Sequence, residues 1–121
     1  QIESEALAGK FHAVLVSRST VLDSGDAVAY MTADFSSSGS YAMSGLHDET
    51  VDAAISKAAA AEPGDERRKA IMAAEQAILA SGAAIPLAHE RVIQGEAAGV
   101  TGAQRDPGER ALITSATTVK K

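Results

Sequence analysis

The densest set of chemistry-bearing side chains lies in one short stretch, FHAVLVSRSTVLDSGDA, residues 11–27. An apolar run from Phe11 to Val16, interrupted only by His12, opens onto Ser17, Arg18, Ser19 and Thr20, and then onto two carboxylates, Asp23 and Asp26. Side chains at the C-terminal end of an α/β strand line the crevice where ligands bind. An aspartate there holds a cation or an amine, and hydroxyls supply neutral hydrogen bonds. A plainer alternative stands beside this one: a polar loop whose Asp26 only caps the next helix. On pattern alone the plainer reading has the greater weight. His12, Ser17, Ser19 and Asp23 also suggest a small serine hydrolase, but no G-x-S-x-G elbow is present to support it. His12, His47 and His89 show neither H-x-x-x-H nor H-E-x-x-H spacing, so no metal is expected. GSYAMSG (39–45) has glycines but no lysine at a following helix start, so no phosphate loop or cofactor is expected either.

The frame that must hold these residues is small. The chain has 121 residues and a 45% hydrophobic content, which fits one folded domain. A chain of this size buries about 65% of its unfolded surface. Aromatics make up 3% and tryptophan is absent, so the core must be built from Ala, Val, Ile and Leu. The net charge is −5 and the densest basic run, Arg67–Arg68–Lys69, is flanked by acids. That run reads as a solvated helix face, and the basic footprint of a nucleic-acid binder is missing. Without cysteine there are no disulfides and no thiolate metal sites. Neither a signal peptide nor an apolar run of transmembrane length is visible. The first residue is Gln1 rather than an initiator methionine, which leads to the expectation of a processed product or a piece of a longer chain.

Phe11–Val16 is short and apolar and reads as a strand buried on both faces, with His12 a satisfied core histidine. Residues 17–26 form a loop, and Asp26 caps a short helix from Ala27 to about Asp34. FSSSGSYAMSG (35–45) is a Ser/Gly loop. A helix over 47–61 has Asp48 as N-cap, acids Glu49 and Asp52 in its first turn, and Val51, Ala54, Ile55 and Ala58 on one face. A second helix, about 65–81, carries Ile71, Ala74, Ile78 and Leu79, with Gly82 at the left-handed position after it. Together they make a helical hairpin. Residues 83–93 read as an extended segment entering a strand, with Pro86 marking an edge. GVTG (99–102) reads as a turn, and ALITSATTV (111–119) as a last strand. Strands separated by helices give an α/β or α+β class, with the hairpin packed on a small sheet. The first strand has no sequential partner, so its neighbours are expected to lie outside this chain.

The order of these pieces resembles the C-terminal part of the family 5 extracellular solute-binding proteins of ABC transporters, the peptide/nickel class. The matching residues are Asp23, Asp26, Ser44, Gly45, Asp48, Val51, Asp52, Arg68, Ile85, Pro86, Leu87, Val100 and Gly102. Each motif is weak alone, but the shared order and spacing cover most of the chain. Ala27, Ala42 and Leu46 depart from the family's Pro, Asn and Tyr. Ser19, Thr20 and Val21 stand where an aromatic usually packs over peptide ligands.

The resemblance implies part of the second lobe of a periplasmic-binding-protein-like type II fold, with the helical hairpin packed on a small sheet. Lobe II would cover about 10–105, and about 106–121 would be a tail returning toward lobe I. It implies an oligopeptide or related solute as ligand and ABC permease subunits as partners. It also implies an extracytoplasmic location, lipid-anchored in the full-length protein, and no enzymatic activity. Asp23 would pair with a ligand amino terminus, with Arg18, Ser19 and Thr20 as further contacts. The family's two lobes close on ligand about a hinge, so a chain this short is expected to be a C-terminal fragment that self-associates through an exposed sheet edge. The departures favour an alternative within the same fold, a regulatory or interaction lipoprotein that does not import.

Overall fold

The computed structural model describes residues 1–17, 25–89, 93, 95–105 and 111–120. The described chain mixes helices with very short strands. The helices are α1 (Ile2–Leu7), α2 (Ala27–Phe35), α3 (Glu49–Ala60) and α4 (Asp65–Ala80). The strands are β1 (Val100–Thr101), β2 (Gln104–Arg105), β3 (Ala111–Leu112) and β4 (Thr118–Val119). The chain divides into two compact units, Gln1–Leu87 and Ala88–Lys121. An α/β or α+β class therefore holds at the coarse level of mixed helix and sheet. Among the described residues, no helix is long and apolar enough to cross a membrane.

Local chemistry sets the helix limits. Asp26 is extended and accepts a hydrogen bond from the Val28 amide at 2.9 Å, satisfying a first-turn donor of α2. Asp48 does the same for α3, accepting from Thr50 at 2.8 Å and Val51 at 3.3 Å. Asp65 and Glu66 lie in the first turn of α4, where the helix dipole favours acids. Gly82 follows the end of α4 at φ 75, a left-handed conformation that costs a glycine nothing sterically.

The buried residues of the first unit's core cluster come from three helices, with Leu46 and Ala84 of the loops packed at its margin. Val51, Ile55 and Ala58 of α3 face Ala70, Ala74 and Ile78 of α4, and Val28 and Met31 of α2 complete the cluster. The spacings i, i+4, i+7 on α3 and i, i+4, i+8 on α4 put each set on one stripe. Ala58 and Ala74 are fully buried. Their small side chains let the two helices approach closely, so backbone contact replaces the bulk of missing aromatics. Phe35 packs at the edge of the cluster and meets the Tyr30 ring edge-to-face, with centroids 5.9 Å apart.

Several strand expectations are corrected. Phe11–Val16 is not a buried strand: its backbone has no regular structure, and Leu15 is 81% exposed. His12 is exposed too, rather than a core residue. Apolar β-branched composition makes a strand only where a neighbour accepts its backbone hydrogen bonds. Among the described residues none pairs with this run. Residues 84–89 are likewise irregular, with Ile85 and Leu87 exposed. The hairpin of α3 and α4 buries its face against α2 and not against a sheet. Ile71 is only partly buried at the cluster's margin.

The second unit is a pair of nested antiparallel ladders. Val100 lies opposite Val119 and Thr101 opposite Thr118, while Gln104 pairs with Leu112 and Arg105 with Ala111. The expected turn at 99–102 thus contains a strand, β1. The expected single strand at 111–119 is two short ones broken by a turn at Ser115–Ala116. Thr114 supplies the break: its carbonyl accepts from the Thr117 amide at 3.0 Å and its hydroxyl from the Ala116 amide at 3.2 Å.

Ile78→Ala should cost about 2–4 kcal/mol in denaturant unfolding, because it empties a buried site between three helices. Met72→Ala, on the exposed face of the same helix, should change stability by less than about 0.5 kcal/mol. Equal effects at the two positions would mean that the buried face of α4 is assigned wrongly.

Candidate functional site

Of the residues that sequence reasoning places at the ligand crevice, Arg18, Ser19, Thr20 and Asp23 lie outside the described residues. Asp26, at the far end of the same stretch, is described, and so is the scaffold that holds it.

Asp26 has two roles. One oxygen caps α2 through the Val28 amide. The carboxylate also receives Arg67 from the first turn of α4, whose Nη2 lies 3.3 Å from Oδ1 and 3.2 Å from Oδ2. The same guanidinium turns its Nη1 to the end of α3. It donates to the carbonyls of Ala58 at 3.0 Å and Ala61 at 2.9 Å, with Ala59 at 3.4 Å. The last carbonyls of a helix have no partner within it. Here α3 ends on Ala61 in an extended conformation, with no glycine to form a left-handed cap. Arg67 fills that vacancy and places a positive charge at the negative end of the helix dipole. One side chain thus joins the start of α2 to the end of α3 from a seat on α4.

Sequence reasoning treats Arg67 as part of a solvated basic run and takes Arg68 as the residue matching the family pattern. In the structure Arg68 is exposed and pairs with Asp65 in its own helical turn, while Arg67 is turned inward with its side chain 22% exposed. A signal for this is present in the sequence. Arg67 lies three, seven and eleven residues before Ala70, Ala74 and Ile78, so it continues the buried stripe of α4.

The Ser/Gly loop that follows α2 is tied down by Asp52. Sequence reasoning assigns Asp52 to the first turn of α3 as a dipole partner. Its Oδ1 also accepts from the Ser37 amide at 2.8 Å, across fifteen positions of chain. The Ser37 hydroxyl, and then its amide, hold the Asp52 carboxyl below the usual carboxylate range; burial opposes this, and His47 adds a small effect in the same direction. Ser36 is buried and donates from its hydroxyl to the Thr32 carbonyl at 2.7 Å. Gly39 passes so close to the end of α2 that a Cβ would meet the Ala33 carbonyl, and the Tyr41 amide bonds to that carbonyl at 2.9 Å.

These elements enclose an open groove of about 520 Å³ lined by Asp26, Thr32, Ser38, Gly39, Ala59 and Arg67. Its charged pair is satisfied from within the chain, so the groove offers hydroxyls and backbone polar groups for neutral hydrogen bonding. Among the described residues no group of His, Asp or Glu side chains could hold a metal ion. His47 and His89 are exposed.

No family model, no curated protein and no solved structure matches this chain.

Arg67→Met should lower stability by about 1.5–3 kcal/mol, the range for hydrogen bonds to a charged group, while Arg68→Met should be near neutral in the same denaturant titration. Equal effects would contradict the joining role of Arg67. The Asp52 carboxyl, depressed in the folded state, contributes stability that is complete above its unfolded pKa and is lost as pH falls through the lower folded value. Stability measured across the acid range should therefore fall less steeply in Asp52→Asn than in the parent chain. Superimposable acid profiles would rule out the Ser37 tie as their source.

Proposed function

We propose that the chain is the C-terminal part of a solute-binding component of an ABC importer for oligopeptides or related solutes. It binds and does not catalyse. In this reading the first unit belongs to the second lobe of a type II periplasmic-binding-protein-like fold. Its location is extracytoplasmic, with a lipid anchor on the full-length protein, and its partners are a solute and the permease subunits.

The observation that carries the proposal is the exposed apolar side chains on two irregular segments of the first unit. Phe11, Leu15 and Val16 along one irregular segment, and Ile85 and Leu87 along another, are all exposed. Single exposed apolar residues are ordinary, but several within one short run of chain suit a surface that further chain would cover. In the proposed protein that cover is the rest of the lobe, and without it the same segments favour self-association. The matched acids add support for the family. Asp26, Asp48 and Asp52 act as joints of one helical scaffold, through Val28, Arg67, Thr50 and Ser37. Shared spacing has a physical reason when the spaced residues hold one another in place. Asp23 is assigned the ligand amine, with Arg18, Ser19 and Thr20 beside it.

Ser19, Thr20 and Val21 replace the aromatic expected over a peptide, and this favours a second reading: a lipoprotein of the same fold that regulates or interacts without import. The two differ in whether the full-length protein binds solute.

The segment AIMAAEQAILASGAAIPLAHER (70–91) follows Lys69 and ends in Arg91, so trypsin releases it as a marker peptide. Tracked by mass spectrometry in fractionated source cells, it should come from an extracytoplasmic species several times larger than 12.3 kDa. A native species of 12.3 kDa would exclude the fragment reading. Calorimetric titration of the 121-residue chain with an oligopeptide set should show nothing tighter than about millimolar, worth about 4 kcal/mol, because a single wall desolvates ligand poorly. Micromolar binding would mean a complete pocket within this chain and would overturn the proposal.

A further inference from the structure

We draw no further inference here: the strongest candidate, the exposed apolar surface along the irregular segments at residues 11–16 and 85–87, belongs to the function already proposed, and nothing in the structure shows what else covers it.

Discussion

Arg67 sits where three helices meet, and the geometry of the first unit depends on it. Its Nη1 lies within 3.0 Å of two carbonyls at the end of α3, and its Nη2 reaches both oxygens of the residue that caps α2. The ion pair alone would be a weak support, since partly exposed pairs contribute about 0–1 kcal/mol. The carbonyl bonds matter more. They satisfy acceptors that α3 cannot satisfy itself, and losing a charged donor to such groups costs about 1.5–3 kcal/mol. The side chain is mostly shielded from water, which limits screening by salt. Arg67 therefore acts first as the cap of α3, and through Asp26 it also fixes where α2 begins.

The apolar core is consistent with this arrangement. Three helices with few large side chains bury one compact cluster, in which alanines at the α3–α4 contact trade bulk for closeness. Packing of that kind is specific in distance but limited in area, so polar joints at the helix ends carry a larger share of the specificity than they would in a bulky core. Asp26, Asp48 and Asp52 are such joints. Two of them cap helices, and the third ties a Ser/Gly loop back across the fold.

The candidate site inherits its rigidity from those joints. Asp26 ends the stretch that begins at Phe11, and its position is held from two directions, by α2 and by α4. The other end of the stretch is different: Phe11–Val16 is irregular and apolar, with Phe11, Leu15 and Val16 exposed. The stretch is thus firmly held at its Asp26 end and uncovered at its Phe11–Val16 end.

The sequence by itself determined α2, α3 and α4. Their hydrogen bonds run four residues back along the chain, and their caps act over two or three, so Asp26, Asp48 and Gly82 mark real boundaries that composition and spacing reveal. The stripes of Val51, Ile55 and Ala58, and of Ala74 and Ile78, follow from the same 3.6-residue period. Part of the site was legible for the same reason, because Asp26 reads as a helix cap and is one. The tertiary structure decided everything that needs a distant partner. Phe11–Val16 has the composition of a strand, yet no described neighbour takes its backbone hydrogen bonds. The two halves of the 111–119 run take different distant partners, Ala111–Leu112 pairing with β2 and Thr118–Val119 with β1. Arg67 and Arg68 are adjacent and chemically identical; the stripe of α4 marks Arg67 as the inward one, but its bonds to Ala58, Ala61 and Asp26 exist only in the packed structure. The tie between Asp52 and Ser37 spans fifteen residues, beyond the reach of any local pattern.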